Sequence, residues 1–340
     1  MGSGSYSTDT RSTRATTMGF MSKGNDEIFT NRSLPSAMNP YGLKLRESRD
    51  SAEHPNSLAI IIALDVTGSM GSIPQHLVRN GLPTIMESII KQGIKDPQVM
   101  FLGIGDHYFD KAPIQVTQFE SSDEKLDHWL TETYIEGGGG GNSGESYLLA
   151  WYVAGHKTDI DCYEKRGNKG FLFTIGDEPN LDSISGDAIK KIFGSSQVPA
   201  RYTASELLNK AQDCYEVYHL HIQEGSNGRR ADVVSGWREA LGDHLLVVQN
   251  HTLVAEVIAS VIIDKCKEPI LNLTTGKLET RVSLAEMVDA NPNVLVVRPA
   301  RVDDSKEVND VIADLVDRFP PGTISTPGAI RIDDPAEGLL

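Results

Sequence analysis

Between Leu58 and Lys265 the chain alternates between two hydrophobic patterns. Short apolar runs, LAIIIAL from Leu58 to Leu64, QVMFLGI over 98–104, GFLFTI over 170–175 and HLLVV over 244–248, predict strands of a mostly parallel sheet buried on both faces. YEVYHLHI over 215–222 alternates and predicts a further strand, and VTQF over 116–119 an edge strand. Between the runs, apolar residues recur every three or four positions, as on the buried face of a helix. Ile73, Leu77, Val78, Leu82, Ile85, Met86, Ile89 and Ile90 predict one such helix, with a kink near Gly81 because Pro83 falls inside it. Others are predicted over Ser121–Tyr134 with Ser122 as N-cap, around Leu148–Val153, around 186–193 and 203–213, over Asp232–Leu241, and over Thr252–Lys265 with Thr252 as cap. Strands alternating with helices imply a doubly wound, Rossmann-like α/β domain, in which ligands bind at the carboxyl ends of the strands.

The flanks lack this rhythm. Residues 1–57 are rich in Ser, Thr, Asn, Arg and Gly, and we expect an extended or disordered N-terminal arm there. The α/β domain is drawn at 58–267. Residues 268–340 suggest short strands, an amphipathic helix over Lys306–Phe319 and a Pro/Gly-rich end, expected as a C-terminal extension packed on the main domain.

Composition narrows the function classes. Of 340 residues, 39 % are hydrophobic and 23 % charged, as in a soluble globular protein. The formal net charge of −15 disfavours nucleic acid and anionic membrane surfaces as partners, since phosphate binding needs a basic face. No stretch approaches the length of a membrane span. The cysteines, Cys162, Cys214 and Cys266, fit neither a zinc spacing nor a disulfide framework, so a reducing, cytoplasmic location is expected.

Candidate chemistry gathers in three loops. The first apolar run ends on Asp65, followed at alternate positions by the hydroxyls of Thr67 and Ser69, with Gly68 and Gly71 between and after them. A carboxylate and two hydroxyls at a strand end are hard oxygen donors of the kind Mg²⁺ takes while keeping waters. The second loop is the glycine-dense Gly137–Ser146, with Asn142, Ser143, Glu145 and Ser146; the third is GDEPN, with Asp177 closing another buried run. Asp106, His107 and Asp110 are expected at the same sheet edge, whereas His219 and His221 share one face of a strand and read as satisfied core or surface histidines.

On these residues, 58–265 resembles a von Willebrand factor A (vWA) domain with a metal-ion-dependent adhesion site (MIDAS). The family's first strand ends in D-x-S-x-S, and here D-V-T-G-S puts Thr67 at the first hydroxyl position. The second loop is similar to the Asp-Ser-Pro-Glu version of integrin β subunits, with Glu145 as metal-facing residue and Asn142 replacing the aspartate; Asp177 matches the third-loop aspartate. The resemblance implies Mg²⁺, or Mn²⁺ in its place, held by Asp65, Thr67, Ser69, Glu145 and Asp177, with an open position for an Asp or Glu of a partner protein. It implies a non-catalytic interaction module, and since intracellular members often work beside AAA+ ATPases, such a partner is a further expectation. The alternative is an enzyme: DVTGS is also similar to the D-x-T-G-T segment of haloacid-dehalogenase-like phosphohydrolases, which would make Asp65 a phosphoryl acceptor.

Overall fold

A computed structural model describes residues 4–136 and 144–266, together with the backbone at 270–272, 277–279 and 294–295. The main sheet comprises β1 (Leu58–Asp65), β2 (Pro97–Ile104), β3 (Ile114–Val116), β4 (Gly170–Gly176), β5 (Tyr215–Ile222), β6 (Leu245–Val248) and β7 (Val294–Leu295). Across it the order is β7-β6-β5-β4-β1-β2-β3. The five inner strands are parallel, while β3 and β7 run antiparallel at the edges. The helices are α1 (Thr8–Met18), α2 (Leu82–Lys91), α3 (Asp123–Thr131), α4 (Leu148–His156), α5 (Gly186–Phe193), α6 (Ala204–Gln212), α7 (Ala231–Leu241) and α8 (Val254–Cys266). This is the mostly parallel, doubly wound α/β sheet flanked by helices that the alternation predicts.

Every residue of β1, β2 and β4 is buried, which is why these strands read as continuous apolar runs. Burying each of Ile60, Ile61 and Ile62 contributes about 2 kcal/mol. Side chains alternate across the strand. Ile60, Ile62 and Leu64 join a core with α2, α3 and α8, so Asp65 falls on the opposite face, the side of Tyr147.

The predicted kink is a change of helix type. Ile73–His76 is α-helical, Leu77–Gly81 is a π-turn, and α2 restarts at Leu82 with Pro83 in its first turn. Pro83 has no N–H for the carbonyl of Arg79 four residues before it. Arg11 supplies the missing donors: its Nη1 donates to Arg79 O at 3.3 Å and its Nη2 to Val78 O. That contact explains the main departure from the sequence expectation. Residues 8–18, expected within an extended or disordered arm, form a helix capped by Ser7. Arg11 is only 4 % exposed, and its Nε lies 3.1 Å from Asp127, which also pairs with Arg14. Further along the arm, Arg46–Ser48 pairs in parallel with Thr158–Ile160.

Smaller differences concern caps and edges. Asn250, not Thr252, caps the turn before α8, accepting from Thr252 N at 2.9 Å. The edge strand lies at 114–116 rather than 116–119. From the C-terminal extension, Ile270–Asn272 and Lys277–Glu279 pair with each other and Val294–Leu295 joins β6; the helix expected over 306–319 lies outside the described residues.

Candidate metal centre

β1 and β4 are neighbours, and the chain leaves them in opposite directions across the sheet. Loops part at such a switch point and open a crevice beyond the carboxyl ends of the strands. Asp65 ends β1 and Asp177 follows β4, so both aspartates lie at this crevice.

Asp65 is fully buried. Its Oδ1 accepts from Thr67 N at 2.8 Å and from Thr67 Oγ1 at 2.6 Å, an Asx-type turn that swings the chain off the strand. Its Oδ2 accepts from the Tyr147 hydroxyl at 3.0 Å. Tyr147 can reach it because residue 176 is glycine: a Cβ there would lie 1.8 Å from the tyrosine oxygen. Thr67 leads into the short turn Gly68–Met70, which places Ser69 next in the loop; the Ser69 side chain is outside the described set. Gly71 closes the loop at φ +51°, a conformation that favours glycine.

The second and third loops are laced together. Glu145 N donates to Pro179 O at 2.9 Å, Leu181 N donates to Glu145 O at 3.1 Å, and Asn180 Oδ1 accepts from Leu148 N at the start of α4. Glu145 is thereby held at 5 % exposure, and its Oε2 is buried without a protein partner. Asp177 Oδ2 accepts from Asn227 N at 2.8 Å, and a Cβ at Gly225 would collide with the Asp177 carboxyl group. Asp106 extends the acidic set: its Oδ1 accepts from Tyr108 N at 3.0 Å, while its Oδ2 is another buried atom without a partner.

Charge balance is the notable property of this crevice. Of Asp65, Asp106 and Glu145, none forms an ion pair with Lys or Arg among the described residues; His107 lies 4.0 Å from Asp106. Burial raises the Asp65 carboxyl to about 7, with Asp177 adding repulsion and the Thr67 and Tyr147 hydrogen bonds opposing it. Burial likewise pushes Glu145 up to about 9, reinforced by Asp65, Asp110 and Asp106. A bound cation would reverse both effects, and the orphaned oxygens of Glu145 and Asp106 are hard donors suited to it. The donor chemistry therefore fits a divalent cation. Among the described residues, however, no three His, Cys, Asp or Glu side chains are already gathered closely enough to hold one.

Asp65 is coupled electrostatically to Asp177, and Glu145 to Asp65, Asp106 and Asp110, so these carboxyls share the carboxyl end of the sheet, while Asn142 and Ser143 lie outside the described residues. His219 and His221 are fully buried core residues. Burial lowers both pKa values, so they are neutral; His219 stacks on Trp237 with ring centroids 3.5 Å apart. Two features went unread in the sequence. Tyr147 follows directly on the second loop and bonds Asp65, yet it reads as one more aromatic of the helix. The Gly225–Gly228 turn holds Asp177, and its GSNG sequence is a turn signal that could have marked it.

Comparison with protein-family models and with curated proteins finds no match. Among solved structures, the chain is similar to the open conformation of pilus adhesin SpaC from Lactobacillus rhamnosus GG, at 11 % identity and TM-score 0.42, over 65 % of this chain and 31 % of the adhesin. It is also similar to proximal thread matrix protein 1 from the mussel byssus, at 10 % identity and TM-score 0.39, over 61 % of this chain and 47 % of that one. One structure of the mussel protein is described with a zinc-occupied MIDAS motif. The chain matches less than half the length of either protein.

Proposed function

We propose that this chain is a von Willebrand factor A-like interaction module built around one divalent cation, Mg²⁺ by preference, with Mn²⁺ as a substitute. Asp65, Thr67 and Ser69 would hold the ion, and Glu145 and Asp177 would complete its shell or tune its charge. When bound, the ion supplies a Lewis-acidic position that an Asp or Glu of a partner protein can occupy. The chain's own residues shape that position. Thr67 and Tyr147 orient the Asp65 carboxyl, the Asn227 amide orients Asp177, and the backbone bridge to Pro179 and Leu181 keeps Glu145 inside the crevice.

The observation that carries this reading is Glu145, buried beside Asp65 and Asp106, without a Lys or Arg ion pair among the described residues, raised to about 9 and with one of its oxygens orphaned. A buried carboxyl group among other carboxyls calls for a cation or for protons. The phosphohydrolase alternative would instead make Asp65 a phosphoryl acceptor. It predicts Mg²⁺-dependent turnover of an aryl phosphate; we expect none.

Thermal denaturation with EDTA, Mg²⁺, Mn²⁺ and Ca²⁺ tests the assignment. Native-state binding raises Tm with ligand concentration. Mg²⁺ or Mn²⁺ is expected to raise it in the wild type and to leave Asp65→Ala unmoved. An equal rise in the folded mutant would remove Asp65 from the site.

A further inference from the structure

The first loop of the crevice is bound on its outer side by a segment that carries none of the proposed ligands. Residues 20–29 of the N-terminal region lie along the loop and the short helix that follows. Asn25 Nδ2 donates to Gly71 O at 2.9 Å, on the residue that closes the loop. Asn25 Oδ1 is buried without a partner, so this side chain keeps its place at the cost of an unmade hydrogen bond. Gln75 Nε2 donates to Lys23 O at 2.7 Å. Arg79 Nε donates to Phe20 O at 2.8 Å, and its Nη2 donates to Lys23 O. Phe20, Ile28 and Phe29 enter the same core cluster as Leu64, Val66 and Met70.

The stretch between Val66 and Gly81 needs such support. It consists of a single 3₁₀ turn, a four-residue helix that contains Pro74, and a π-turn, with Pro83 following it. Such short pieces form few intrahelical bonds of their own. We infer that residues 20–29 are a strap that sets the conformation of the first loop, and that Asn25 and Arg79 are positioning residues for the cation site. The inference deepens the proposed function in its metal readout, but the loop's dependence on the strap stands by itself.

The test uses the full chain with Asn25→Ala, Arg79→Met and Arg79→Lys, measuring amide hydrogen exchange at 66–72 and Mg²⁺ affinity by calorimetry. Local opening governs exchange. Arg79→Met is expected to speed exchange at 66–72 about tenfold while β4 and β5 stay protected, and to weaken Mg²⁺ binding about tenfold. Asn25→Ala should act in the same direction at about threefold, and Arg79→Lys should recover part of the loss. Exchange at 66–72 that stays within about twofold of wild type in both Asn25→Ala and Arg79→Met would overturn the strap. Should Arg79→Met not fold, Asn25→Ala decides. If the wild type takes no Mg²⁺, the metal assignment falls and the exchange data still decide the strap.

Discussion

Glu145 and Asp65 place carboxyl groups where water scarcely reaches, and their protonation follows from that. Glu145 ionises near 4.5 in an unfolded chain and at about 9 in the metal-free fold; Asp65 moves from 3.8 to about 7. A carboxyl group whose folded pKa is raised contributes stability that is full below its unfolded pKa and is lost as pH rises through the folded value. These two carboxyls should therefore withdraw stability from the metal-free protein as pH rises, against the opposite contribution of the buried His219 and His221 below about 6.5, and of the two it is Glu145 that acts between about 7 and 9. Glu145→Gln should flatten that upper part in urea melts taken in EDTA; an unchanged slope would show that other groups drive it. Tyr147→Phe removes a buried donor from Asp65 and should destabilise by about 1–2 kcal/mol, read from the urea midpoint at constant m-value. Gly176→Ala forces a methyl group into the Tyr147 hydroxyl and should cost about 3 kcal/mol, with loss of the Asp65 contact.

At the scale of elements, Pro83 and Arg11 are two halves of one device. Proline's effect was legible in the sequence as an interruption near Gly81. The π-turn and its occupant were not, because the donor that completes it lies on a segment whose composition suggests no structure. A Ser/Thr-rich stretch becomes helical when its few anchoring residues find buried partners, as Arg11 and Arg14 do on Asp127. Arg11→Met should destabilise by about 3 kcal/mol, since it leaves the Asp127 carboxylate and two helix carbonyls short of donors. Adding Pro83→Ala returns an N–H to the Arg79 carbonyl. The double mutant should therefore recover about 1 kcal/mol relative to additivity, and a strictly additive cycle in urea would refute the coupling.

Over the whole molecule, the doubly wound order sets two acidic strand ends side by side in a chain that already carries a net charge of −15. Cation binding at this crevice must displace protons from Glu145 and Asp65. The Tm rise caused by Mg²⁺ should thus be small near pH 6 and grow toward about pH 9, within the window bounded by the two raised carboxyls. A rise independent of pH across that range would mean that the ion binds away from these groups. No helix among the described residues is long and apolar enough to cross a membrane.

What the sequence by itself determined is local and periodic. Apolar runs such as LAIIIAL are satisfied between two layers of helices, and that requirement specified the sheet and its direction, and with them the edge at which Asp65 and Asp177 lie. Asp65, Glu145 and Asp177 were therefore visible before any coordinates. Tertiary structure alone decided how those carboxyls are held and how hard they are to ionise. Tyr147 on Asp65, the Asn227 amide on Asp177 and the strap at Asn25 and Arg79 are contacts between residues dozens of positions apart. Hydrogen bonds of that reach depend on where the folded chain brings its loops, and no periodicity along the sequence records them.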